Sequence, residues 1–146
     1  GVRLLQRHFK QLTGCVPLES GASGLVVLTQ DWRVQRKLQE DQAVMENELI
    51  VEVRGEVSEE ALRHLLRATD ARGQPLPPTK VSINSTGTGS SKLRFAIKGA
   101  HPGLVAYRCD QAGLEIISVR RIRLGRVALS DLPVGHWRYL APGEKF

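Results

Sequence analysis

Pro17-Leu18-Glu19-Ser20-Gly21-Ala22-Ser23-Gly24-Leu25-Val26-Val27-Leu28-Thr29 is the stretch around which the rest of the chain is read. A carboxylate, Glu19, closes a short apolar run. A turn of small residues follows, then a run of strand character. That order presents one acidic side chain at a sheet edge, on backbone flexible enough for a ligand to approach closely. The same residues also make an ordinary loop with an exposed glutamate, because lone carboxylates are common on loops. Cys15 to Leu18 reads as a short strand, with Pro17 tolerable at an edge or end. Leu25 to Thr29 reads as an apolar strand buried on both faces.

Upstream, Leu4, Leu5, Phe9 and Leu12 fall at helical spacing, and Gly14 suits the end of that helix. Downstream, Thr29 or Asp31 can cap a helix carrying Trp32, Val34 and Leu38 and ending near Asp41. Glu48 to Val53 alternates in the manner of a strand. Ser58 is an N-cap for a helix whose apolar face is Leu62, Leu65 and Leu66, with Glu59 and Glu60 in its first turn. Asp70 to Pro78 is turn-rich. Val81 to Ile83 and Lys92 to Ile97 read as strands joined by a Gly/Ser/Thr loop, Asn84 to Ser91, which has no GK[ST] and so is no Walker phosphate loop. Leu104 to Ala112 is helical in pattern and stopped by Gly113. Leu114 to Val119 is a strand, and Gly125 permits a bend after it. Leu132 to Gly135 is a turn before a last short strand, Trp137 to Leu140. Strands interrupted by three or four helices imply an α+β domain with a mixed, largely antiparallel sheet flanked by helices.

Arg120, Arg121, Arg123 and Arg126 fall within seven residues, interleaved with Ile122 and Leu124. Alternation sends some of them to one face. Guanidinium forks grip phosphates bidentately and stack on bases, although the same spacing also makes a solvated strand face. Lysine and arginine outnumber the acids 21 to 15 over the 146 residues, for a net charge of +6, which favours a polyanionic partner, nucleic acid first. Aromatics are only 5% of the chain, so the core must be mostly Leu, Val and Ile.

Cys15 and Cys109 form neither a disulfide framework nor a CxxC, and the default is reduced thiols in a cytoplasmic protein. The four histidines, His8, His64, His101 and His136, have no ligand spacing, so no metal site is expected. No G-x-S-x-G marks a hydrolase. No apolar run approaches the roughly 20 residues that cross a bilayer, and no signal-peptide pattern opens the chain. Val2-Arg3-Leu4-Leu5 begins in mid-pattern and Gly143 to Phe146 resembles the start of another element, so residues 1–146 read as one domain, as a fragment.

Three stretches resemble the pseudouridine synthase catalytic domain of the RsuA family, which includes RluB, RluE and RluF. Pro17 to Asp31 is similar to its G-R-L-D-x-x-(T/S)-x-G-L-x-x-L-T-N-D signature. Glu48 to Val53 resembles its K-x-Y-x-V strand. Gly113 to Leu140 resembles an arginine-bearing strand followed by L-x-x-G-x-(W/Y)-R-x-L, here Leu132-Pro133-Val134-Gly135-His136-Trp137-Arg138-Tyr139-Leu140. Together they span most of the chain in family order. The resemblance implies isomerisation of uridine to pseudouridine in RNA, by analogy ribosomal RNA. It implies no metal or nucleotide cofactor, no membrane and, as the simplest state, a monomer. The S4-type RNA-binding module that often precedes this domain has no counterpart in the sequence.

The resemblance puts Glu19 at the catalytic aspartate, Pro17 at the preceding arginine and Ala22 at the turn threonine or serine. Leu49 falls at the base-stacking tyrosine. Pro102 to Tyr107 falls on the N-R-Q-I-R-R segment without its arginines, with Arg108 one or two residues away. Arg121 and Arg123 match family arginines. Glutamate lengthens the catalytic arm by a methylene, and a misplacement of about 1 Å can cost on the order of 100-fold in rate. An aromatic stacking platform is worth about 1–3 kcal/mol per base. Two readings follow: a synthase working through Glu19, or a non-catalytic RNA-binding relative. A protein-interaction domain on a reused scaffold is the third and has the least in its favour.

Overall fold

The computed structural model describes residues 13–15, 18, 22–99, 101–130, 132, 138, 140 and 144. The helix expected over residues 3–12 and most of the Leu132 to Leu140 segment lie outside them. Thr13–Cys15 forms β1, slightly upstream of the strand expected at Cys15 to Leu18. Ser23–Gly24 forms β2 and Val27–Thr29 forms β3.

The apolar run at Leu25 is therefore not one strand buried on both faces. β2 lies parallel to a later strand of the main sheet, whereas β3 turns away and pairs antiparallel with β1. Val26 and Leu28 are 50% and 53% exposed, and only Leu25 of the five is buried. A strand that leaves a sheet after two residues gains only a thin cover on its second face. Gly24 makes the crossing possible. Its φ is +106°, and a Cβ there would sit 2.3 Å from the carbonyl oxygen of Arg121. The small residues of this turn thus admit the chain's own backbone at close range.

Trp32–Asp41 forms α1, and Asp31 caps it by accepting from the Arg33 amide at 2.9 Å. Glu46–Arg54 forms β4 with strict inward–outward alternation. Glu59–Leu65 forms α2, capped by the Ser58 hydroxyl at 3.0 Å from the Ala61 amide. Its inward pair is Ala61 and Leu65, one turn apart; Leu62 is half-buried, and Leu66 ends the helix exposed. Thr79–Gly87 (β5) and Ser90–Lys98 (β6) form one long hairpin, so most of the expected Asn84 to Ser91 loop is paired strand. The polar Ser/Thr run is solvent-exposed and needs no apolar alternation to pair. Leu104–Gln111 forms α3, followed by Gly113 at φ +72°. Ile116–Leu124 forms β7, and Val127–Ala128 forms β8 folded back on it.

The main sheet runs β2-β7-β4-β6-β5, antiparallel except at β2–β7. Two apolar clusters cover one face. The larger joins Leu49, Val51 and Val53 of β4 and Leu93, Phe95 and Ile97 of β6 to Leu65 of α2 and Val105 and Cys109 of α3. The smaller joins Leu25, Leu38, Met45, Leu124 and Val127. Burial pushes the Cys109 thiol up to about 12, which keeps it protonated and chemically quiet. Among the described residues no helix is long and apolar enough to cross a membrane.

Candidate functional site

Plain alternation would put Arg121 and Arg123 on the same side of β7. The pairing with β4 prevents it. Glu48 faces Arg123 and Leu49 faces Arg121, so Ile122 is an extra residue without a partner on β4. This bulge inverts the parity of the strand. Arg121 turns to the helix-covered face with Leu49, and Arg123 turns to the opposite face with Glu48.

Arg121 is only 1% exposed. Its Nε donates to the Leu25 carbonyl at 2.9 Å and its Nη1 to Asn47 Oδ1 at 3.1 Å. Asn47 Nδ2 in turn donates to the Gly99 carbonyl at 3.0 Å. These groups occupy a seam between the two apolar clusters. Along β4, Met45 belongs to the smaller cluster and Leu49 to the larger, with Asn47 between them. Along β7, Val119 and Leu124 divide in the same way around Arg121. Ala22 packs on the larger cluster and Leu25 belongs to the smaller, so the turn of small residues crosses the seam beside the guanidinium. Burial draws Arg121 down to about 10, which still leaves it a cation at neutral pH. A buried cation favours the charged form of any carboxylate near it. Glu19 itself lies outside the described residues.

Asn47 is the residue that the sequence reading missed. A polar side chain on the inward parity of Asn47-Leu49-Val51-Val53 was the available signal, had the strand been extended one residue upstream.

Arg108 does not stand in for the missing arginines of Pro102 to Tyr107. It is 3% exposed and reaches away from the seam. Its Nη1 donates to the Leu65 and Arg67 carbonyls, each at 2.8 Å, and its Nη2 to the Pro77 carbonyl at 3.0 Å. It ties the end of α2 to the turn before β5. Burial lowers its pKa. Leu49, at the tyrosine position, is a core residue at 4% exposure.

The remaining arginines divide by face. Arg123 donates from Nε to Glu48 at 2.7 Å, and also bonds Glu46 and the Gly125 carbonyl. Partial burial opposes its charge, but the bonds to Glu48 and Glu46 outweigh that and raise its pKa. Glu48 also accepts from Arg94 at 2.9 Å. Arg120 and Arg126 are exposed. Arg138, from the C-terminal motif, pairs with Glu144.

No family model matches the chain. Two curated proteins align over most of it. Ribosomal large subunit pseudouridine synthase B of Pseudomonas aeruginosa is 27% identical over 129 residues, covering 87% of this chain and 33% of that protein. The putative ribosomal large subunit pseudouridine synthase SVR1, chloroplastic, of Arabidopsis thaliana is 27% identical over 121 residues, covering 81% of this chain and 30% of that protein. A crystal structure of a pseudouridylate synthase superposes with a TM-score of 0.72 at 19% identity, over 88% of this chain and 55% of that one. Over most of its length the chain is thus similar to pseudouridine synthases, in agreement with an RsuA/RluB-like domain. The α+β architecture with its mixed sheet agrees with that fold. The chain spans about a third of the length of the curated relatives it matches.

Proposed function

We propose that this pseudouridine synthase-like domain isomerises uridine to pseudouridine in ribosomal RNA, with Glu19 as the reacting carboxylate. The observation that carries the reading is the buried Arg121 at the seam. A cation inside a fold is stable only beside compensating groups, and Ala22 to Leu25, downstream of Glu19 in the chain, cross the seam beside it. Ala22 is three residues from Glu19, so their Cα atoms lie within about 11 Å. Arg121 would hold that carboxylate ionised and oriented, with Asn47 and the Leu25 carbonyl fixing the guanidinium plane.

In the reaction the uracil leaves its stack and enters the site, at a cost of about a few kcal/mol. The carboxylate acts at the ribose as the bond from C1′ to N1 breaks. The freed base turns, a bond from C1′ to C5 forms, the C5 proton goes to solvent, and N1 takes up a proton. No redox step or nucleotide enters this balance.

Leu49 supports a second reading, that of an RNA-binding relative without turnover. Its side chain is buried in the larger cluster, across from Phe95 of β6, and itself offers no aromatic face for a base. Tritium release from ribosomal RNA labelled at C5 of uridine separates the two. Release that is lost in Glu19→Gln supports the first. No release from the parent, with release appearing in Glu19→Asp combined with Leu49→Tyr, supports the second.

A further inference from the structure

We infer that the sheet face turned away from the helices is a second RNA-contacting surface, one that grips the backbone of a double-helical segment. This rests on the RNA reading above and adds to it a partner element and a place. The strand registers assign the face. Lys92, Arg94 and Lys98 of β6 point outward along one line, Lys80 of β5 flanks them, and Arg120 of β7 lies across Ile50 from Arg94. All five are exposed. Among the described residues the carboxylates on this face are Glu46, Glu48 and Glu52 of β4, of which Arg123 and Arg94 occupy the first two, and Glu115, which pairs with Arg54. Among the described residues no ion pair engages Lys80, Lys92, Lys98 or Arg120. Cations therefore exceed carboxylates, and the excess is free to meet phosphates.

The chemistry of the face selects the occupant. Neighbouring outward positions on a strand are about 7 Å apart, so Lys92 to Lys98 extends a grip of about 20 Å. Ser82 and Ser118 add hydroxyl donors of the kind that contact phosphate and sugar. No aromatic side chain stands on this face among the described residues, so stacking on splayed bases is not on offer. Backbone recognition by shape and charge is what remains, and that is how double-helical RNA is held. Leu49 and Arg121 lie on the reverse face of the same sheet. The duplex gripped here is therefore a different segment from the one presenting a uridine at the turn after Glu19, as a folded RNA allows.

The test is binding of the chain to a hairpin RNA across a salt series. Lys92→Gln combined with Lys98→Gln removes two exposed charges from the face. Arg63→Gln combined with Arg72→Gln removes two exposed charges from the helix side. The first pair should weaken binding about 10-fold or more at low salt and make the slope of log affinity against log salt shallower by about two. The second should stay within about twofold of the parent. Thermal unfolding confirms that the variants fold, and Lys80→Gln with Arg120→Gln repeats the measurement on the same face. Should the face variants bind with the parent's affinity and slope, the surface assignment falls while the proposed reaction stands, and an acidic protein surface becomes the candidate occupant. Should the parent itself show no salt-sensitive RNA binding, both fall together.

Discussion

Arg108 and Arg121 are both buried beneath the same sheet, yet they are held in unlike ways. Arg108 is caged by three main-chain carbonyls from the end of α2 and the turn before β5. The Leu65 and Arg67 carbonyls lie at and beyond the end of α2, where helical partners run out, so the guanidinium closes gaps that the fold leaves open; the Pro77 carbonyl also accepts from the Thr79 hydroxyl. Among the described residues Arg121 meets the Leu25 carbonyl and the Asn47 side chain, at the boundary between two apolar clusters and beside a turn of small residues. The first arrangement holds elements together. The second holds a charge in position. Burial and residue type are the same at the two sites, and only the partners tell them apart.

That contrast can be broken by experiment. Arg108→Ala strands the Leu65 and Arg67 carbonyls, takes one of two donors from Pro77, and should cost about 3–5 kcal/mol in urea unfolding, in line with removing one partner of a buried charged network. A loss below about 1 kcal/mol would show the cage to be dispensable. Arg121→Lys keeps the charge but loses the planar fork. Tritium release should drop about 100-fold, with a smaller stability loss than Arg108→Ala; equal effects on stability and no effect on release would make Arg121 a second structural arginine. Asn47→Ala leaves the Gly99 carbonyl and one arginine donor without this side chain, for about 1–3 kcal/mol. If Asn47 positions Arg121, the pH profile of tritium release shifts as well, which a purely structural role would not produce. Arg123→Gln sharpens the comparison from the exposed side. Its pairs with Glu46 and Glu48 are part-buried, and about 1 kcal/mol or less is expected in the unfolding midpoint.

Much of the fold was legible because it is written locally. Asp31 and Ser58 cap the helices they were expected to cap, and Gly113 ends α3. The alternation of Leu49, Val51 and Val53 fixed the inward face of β4. The domain type was legible because motifs at three separated stretches agreed. What escaped depends on contacts distant in sequence. Asn84 to Gly87 looks like loop because its residues are small and polar, and only the partner strand β6 shows otherwise. Nothing near Arg108 in sequence announces Leu65, Arg67 and Pro77. Gly24 reads as flexibility, while the requirement comes from the Arg121 backbone across the sheet. Arg121 to Leu124 alternates charged and apolar residues, so the division of Arg121 and Arg123 between faces could not be read from the segment alone. Glu19, the residue on which the reaction would turn, was singled out by its motif and lies outside the described residues.

The bulge at Ile122 acts on β7 as a phase shift acts on a wave. From Ser118 to Arg121 the strand keeps one parity, and at Arg123 and Leu124 it keeps the other. The strand therefore has two halves that can vary separately: the half with Arg121 answers to the seam, and the half with Arg123 answers to the carboxylates of β4. Deleting Ile122 would leave both faces as they are, because Arg121, Arg123 and Leu124 would then alternate regularly along β4. Drawing Ile122 into the ladder opposite Glu48 would instead swing Arg123 toward the buried face and Leu124 out of its cluster toward water. One residue without a partner on β4 thus keeps Arg121 and Arg123 on opposite sides of the sheet.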